Sequence, residues 1–215
     1  MDGRIALFDM DDTLFAHTKK LQEDLEKLRS GPLEPIYDIS DRQKRRPDWL
    51  EARIELIKRQ PGWWRNLPII DTGWQILKAC QEIGFCCRIL TKGPRTKSLA
   101  WMEKLECVNH HLGENFPVDM VNSGSDGGKD KGDTYGRVLV DDYPPFVEYW
   151  LKHRKRGLGI IPAHPWNASF THPNVFRYNG PDSMPLLRIV LYAAFMRESG
   201  QHWNELLNHA VNKPD

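Results

Sequence analysis

The sequence has little of what export, membrane insertion or polyanion binding would require. Its 215 residues include only four cysteines, Cys80, Cys86, Cys87 and Cys107, and no two of them form a C-x-x-C pair. That spacing argues against zinc, and the thiols read as free. Cys86 and Cys87 are adjacent in an apolar run, where neighbouring strand residues point to opposite faces, so both read as small core side chains. No apolar stretch approaches the ~18 residues of a membrane span. Met1-Asp2-Gly3-Arg4 runs straight into a strand-like segment without a signal-peptide layout. The expectation is an unprocessed protein of the reducing cytoplasm, with free thiols and no membrane partner. An excess of one charge is also missing, since 30 Lys+Arg against 29 Asp+Glu leave +1. Nucleic-acid binders are usually strongly basic, so nucleic acid is disfavoured as a partner. There are no internal repeats and no low-complexity tracts.

What remains is an ordinary globular composition, 40% hydrophobic and 27% charged. The length is about 1.4 times a typical domain of ~150 residues, enough for one domain with a large insertion. Short apolar runs alternate with helical patterns: Arg4 to Asp9, Phe85 to Thr91, Val118 to Asn122, Arg137 to Asp141 and Leu158 to Ile161. Runs that are nearly all apolar are expected of parallel strands covered on both faces. Helices are predicted over Thr72 to Ile83, capped by Thr72 and stopped by Gly84, then Thr96 to Leu105, Pro145 to His153, and two between Pro185 and Val211. About 75 residues separate Asp9 from Phe85, far more than a βα connection needs. Two amphipathic patterns lie there: Leu21, Leu25 and Leu28, then Leu50, Ile54 and Ile57. The predicted fold is α/β, a Rossmann-like three-layer sandwich with a parallel central sheet over residues 1–16 and 70–215. A small helical cap, residues 17–69, is inserted after the first strand.

The chemistry is concentrated at predicted strand ends. The first strand runs out in Phe8-Asp9-Met10-Asp11-Asp12-Thr13. Open α/β sheets bind ligands at the carboxyl ends of their strands, and carboxylates two residues apart can face one pocket. Such a pair can divide the labour of nucleophile and proton carrier. The competing reading is a solvated acidic turn. Thr91 ends the second strand, Asp141 and Asp142 end the fourth, and Lys129 and Lys131 lie just before that strand. Taken singly, Thr91 could be a helix cap and the lysines a solvated loop. The ordered set is much harder to obtain by accident.

That set resembles the haloacid dehalogenase superfamily of phosphohydrolases. Asp9 and Asp11 match its first motif, Thr91 the second, a lysine the third and Asp141-Asp142 the fourth. Within the superfamily the chain is most similar to the 5′(3′)-deoxyribonucleotidases, through Pro61-Gly62-Trp63-Trp64, Glu103-Lys104, His111-Leu112-Gly113 and Pro165-Trp166-Asn167. Their lysine lies ten residues before the acidic pair, which selects Lys131 over Lys129. Two departures are Asp12, where those enzymes usually carry Gly, and Lys92-Gly93, where Ser usually follows the threonine. The last fifty residues match nothing in that family's pattern.

The resemblance implies a Mg²⁺-dependent phosphomonoesterase acting on (deoxy)nucleoside monophosphates, with Asp9 as nucleophile and Asp11 as the acid and base. It implies magnesium on Asp9, the backbone carbonyl of Asp11 and the Asp141–Asp142 pair. Thr91, Lys92, Lys104 and Lys131 would hold the phosphoryl group. Asp11 is then expected to have a raised pKa. Trp63 and Trp64 stand where those nucleotidases stack the base; the alternative is that both are cap core. Such enzymes often pair, which hints at a homodimer. The basic runs Arg42 to Arg46 and Arg154 to Arg156 read as solvated faces, and no histidine is assigned a role. Other readings are a phosphatase for another small ester, one for nucleic-acid ends, and a non-catalytic binding module.

Overall fold

The computed structural model describes residues 3–40, 44–93, 98–122 and 129–211. Strand β1 (Ile5–Phe8) leads into helices α1 (His17–Lys27) and α2 (Asp48–Lys58), then α3 (Asp71–Ile83). The chain continues through β2 (Cys86–Gly93), α4 (Ser98–Leu112), β3 (Val118–Asn122), the short α5 (Lys129–Asp133) and β4 (Val138–Val140). It ends with α6 (Pro144–His153), β5 (Leu158–Pro162), β6 (Val175–Tyr178), α7 (Met184–Met196) and α8 (Trp203–Val211). The strands form one sheet in the order β3-β2-β1-β4-β5-β6, and every pairing is parallel. The chain steps outward from β1 to β3, then crosses back to β4 on the other side of β1. Where the order reverses, the connections diverge and leave a crevice above β1 and β4.

Strand side chains alternate between two cores. Ala6, Phe8, Ile89, Val138 and Val140 pack with residues of α3, α4 and α7, whereas Leu7, Leu90, Leu139 and Ile161 pack with Val147, Trp150 and Leu151 of α6. This is the three-layer α/β sandwich expected. The alternation also divides the two adjacent cysteines. Cys87 is buried, but Cys86 opens β2 and is exposed, so it is not the core side chain expected.

Helix α3 stops at Gly84, whose φ of +103° turns the chain so that the Phe85 N–H bonds back to the Cys80 carbonyl at 3.0 Å. It starts at Asp71, after Ile70 at the cap position, so Thr72 does not cap it. Thr96, the expected start of α4, lies outside the described residues, and α4 runs seven residues past Leu105, to Leu112. β2 runs on past Thr91 to Gly93, because Lys92 and Gly93 pair with Val121 and Asn122. The sixth strand lay beyond the expected set: its Phe176 and Tyr178 read as apolar, but Arg177 between them breaks the all-apolar pattern.

The insertion forms a helix pair. Leu21 and Leu25 of α1 and Leu50, Ile54 and Ile57 of α2 join Trp63, Trp64 and Leu67 in a cluster continuous with the main core. Leu28, at the end of α1, is exposed. Among the described residues, no helix is long and apolar enough to cross a membrane.

Candidate active site

The loop after β1 is held by backbone contacts. Leu14 and Phe15 donate to the Met10 carbonyl, and Asp12 N–H donates to the Phe15 carbonyl. This tight turn places Asp12 at φ +60°, the left-handed region where glycine is the usual occupant. Asp12 replaces that freedom with side-chain bonds: its carboxylate accepts the N–H and hydroxyl of Thr18 at 2.7 and 2.5 Å, tying the turn to the first turn of α1. Asp12, the departure from the nucleotidase pattern noted above, thus holds the turn against α1.

Asp9 and Asp11 both line a cavity of about 410 Å³ between the sheet edge and the inserted helices. Each is paired with a different lysine. Lys131, buried on α5, donates to Asp9 Oδ1 at 2.5 Å and to Asp141 Oδ2 at 2.8 Å. Lys104, buried on α4, donates to Asp11 Oδ2 at 2.6 Å, to Thr91 Oγ1 at 3.1 Å and to the Lys92 carbonyl at 2.9 Å. Close helix packing positions Lys131: a Cβ on the neighbouring Gly132 would lie 2.4 Å from the Tyr149 ring of α6. Lys131 and Lys92 both place their ammonium groups within 5 Å of the Phe146 ring centre.

The two aspartates have opposite electrostatics. Burial pushes Asp9 up to about 7, with Asp141 and Asp11 adding to it and Lys131 opposing it. At Asp11, burial also acts upward but is outweighed by Lys104, His17 and Lys58, so its carboxyl is held below the ordinary value. The raised pKa expected of Asp11 is therefore corrected: Lys104 at 2.6 Å favours its ionised form. Its Oδ1 is buried and accepts no hydrogen bond from the described residues.

Beneath the cavity, Asp9, Asp141 and Asp142 bring carboxylate oxygens within 4.8 Å of one another. All three are buried, and the Lys131 ammonium bridges Asp9 and Asp141. An all-oxygen donor set with an excess of buried negative charge suits a hard divalent cation. Asp142 is held by its neighbours: its N–H donates to Thr13 Oγ1 at 3.0 Å and its Oδ2 accepts from Trp166 Nε1 at 2.9 Å. Asn167 Nδ2 donates to the Asp142 carbonyl at 2.9 Å. His164 stacks on Trp166 and meets the Asp12 carbonyl at 2.8 Å, so Pro165-Trp166-Asn167 clamps both acidic loops.

The two tryptophans part company. Trp64 lines the cavity, with His17 stacked on it at 5.2 Å. Trp63 does not reach the cavity; its indole N–H turns to Asp24 at 2.9 Å. Glu103, buried on α4, accepts the backbone N–H groups of Gly62 and Trp64 at 2.5 and 3.1 Å and so ties this turn to the helix that carries Lys104. Thr91 is buried behind Lys104 rather than on the cavity wall.

Several cavity residues escaped the sequence reading: His17, Arg46, Lys58 and Phe146. Arg46 sits in a basic run taken as a solvated face, and Lys58 ends an amphipathic helix where a solvated lysine is ordinary. Thr13 was legible, two residues after Asp11. Arg42 of that run lies outside the described residues, while Lys44 and Arg45 are exposed as expected. The sequence matches no protein-family model, and no curated protein is significantly similar to it.

Proposed function

We propose that the chain is a magnesium-dependent phosphomonoesterase of the haloacid dehalogenase type, acting on small phosphate esters with (deoxy)nucleoside monophosphates foremost. The observation that carries this reading is the Asp9–Asp11 pair on one cavity wall, each carboxylate engaged by its own buried lysine. The core side of that wall carries Lys92, Lys104 and Lys131 against Asp9 and Asp11, a cationic surplus suited to a phosphate dianion.

Lys131 fixes Asp9 through Oδ1, while Oδ2 has no hydrogen-bond partner among the described residues and is the oxygen that attacks phosphorus. The aspartyl-phosphate forms as the ester P–O bond breaks, and the departing oxygen takes a proton from Asp11. Water then attacks phosphorus, Asp11 accepts a proton from it, and Asp9 and phosphate separate. Asp11 can carry that proton only if Lys104 loosens its hold. An arriving phosphoryl group gives the Lys104 ammonium a second anion and so raises the proton affinity of Asp11. A magnesium ion held by Asp9, Asp141, Asp142 and the Asp11 carbonyl would supply the positive charge that lets one anion approach another. The buried thiols of Cys80, Cys87 and Cys107 support placing the enzyme in a reducing compartment such as the cytoplasm.

The stacking of His17 on Trp64 favours a second reading, a compact non-nucleotide ester, because that ring face is already covered. Phosphate release from nucleoside monophosphates and sugar phosphates, with magnesium and with EDTA, tests both. Magnesium-dependent turnover of nucleotides, lost in Asp9→Asn, is expected. Turnover of sugar phosphates alone selects the second reading, and turnover of none of these compounds overturns both.

A further inference from the structure

The cap side of the cavity holds cations that the first phosphate does not require. Lys58, in the last turn of α2, lines the cavity, yet among the described residues its ammonium has no carboxylate within 4.0 Å and donates no hydrogen bond. Its ammonium lies 5.7 Å from the centroid of the Trp64 ring, and the Lys104 ammonium lies 4.8 Å from the same centroid. Burial pushes Lys58 down to about 8. Arg46 spends its two terminal nitrogens on the Ile39 carbonyl and Glu51, at 3.1 and 3.3 Å, and its buried Nε has no acceptor among the described residues. His17 completes this wall.

A half-buried ammonium that feels Asp11 and Glu55 only at a distance, with no described carboxylate in ion-pair contact, costs free energy, and the packing of α2 does not call for one there, since its buried face is Leu50, Ile54 and Ile57. Lys131, Lys104 and Lys92 already stand on the core side, around Asp9 and Asp11. We infer that Lys58 and Arg46, with His17, form a second anion subsite that selects phosphomonoesters carrying a further phosphoryl or carboxylate group. The inference rests on the phosphatase reading for the first phosphate and names the substrate class of the same cavity. At about 410 Å³ the cavity is within the range of small-molecule sites.

The test uses two matched pairs of probes: adenosine 3′,5′-bisphosphate against adenosine 5′-monophosphate, and 2-phosphoglycerate against glycerol 2-phosphate. Turnover is measured with magnesium, and binding by calorimetry without metal, so that the subsite is tested even if hydrolysis fails. In the wild type, the doubly anionic member of at least one pair is preferred by tenfold or more. Lys58→Gln reduces that preference by at least tenfold, and Lys58→Arg retains it. A phosphoryl subsite shows in the first pair and a carboxylate subsite in the second. No preference in either pair, or equal losses on both members in Lys58→Gln, overturns the inference. Absence of turnover with the binding preference intact would instead remove the phosphatase reading and keep the subsite.

Discussion

Replacing Lys131 with methionine removes the ammonium that bridges buried Asp9 and Asp141 while nearly preserving side-chain volume. Lys131 Nζ lies 2.5 Å from one carboxylate and 2.8 Å from the other, and Asp142 brings a third acidic oxygen within 4.8 Å. The burial that disfavours the ammonium is outweighed by Asp141 and Asp9, which raise its pKa, so the folded state holds its proton tightly. Removing one partner of a buried ion pair costs about 3–5 kcal/mol, because the remaining charges stay buried without compensation. For a chain of this size each kcal/mol moves Tm by about 2–4 °C, so Lys131→Met should melt about 6–20 °C below the wild type. The assay is thermal unfolding followed by circular dichroism near neutral pH in EDTA, which keeps divalent cations from substituting for the lysine. Asp9→Asn is the opposed control: it removes one of three crowded carboxylates, leaves Lys131 with Asp141, and should raise Tm. A Lys131→Met protein melting within 2 °C of the wild type, or an Asp9→Asn protein melting well below it, would refute the charge argument.

A Cβ on Gly73 would lie 1.9 Å from the Thr13 carbonyl oxygen, against a floor of 3.0 Å for real contacts. Gly73→Ala must therefore push α3 off the loop that carries Asp9 and Asp11, costing about 1–3 kcal/mol or more by urea unfolding and lowering kcat. Glu103→Ala strips the acceptor from the Gly62 and Trp64 N–H groups; a loss of about 1–3 kcal/mol with a raised KM is expected, and an unchanged KM would separate this tie from the cavity. Trp64→Ala should raise KM about tenfold, equivalent to about 1.4 kcal/mol of lost contact. Trp63→Ala should lose stability instead, as truncating a buried tryptophan does, with little change in KM.

The parallel sheet and its active edge were legible because both follow from short-range rules. Apolar runs give strands, and acidic residues where those runs end have to face the crevice. Asp9, Asp11, Lys104, Lys131, Asp141 and Asp142 all meet there, although they come from four separate segments of chain. What the sequence hid depends on long-range packing. Lys58 and Arg46 look like ordinary solvated charges until α2 folds over the sheet. Trp63 and Trp64 are equivalent in sequence, but neighbouring positions in a tight turn point differently, so only one reaches the cavity. The low proton affinity of Asp11 comes from Lys104, 93 residues away along the chain, and composition could not reveal it.

The central claim is that Asp9 is phosphorylated during turnover. Its most direct test is rapid acid quenching during steady-state hydrolysis, reduction with borohydride and peptide mass spectrometry. An acyl phosphate is reduced at its carbonyl, so the account predicts homoserine at position 9, dependent on substrate and magnesium and absent from Lys131→Met. Homoserine at another aspartate, or none while phosphate is still being released, would contradict it.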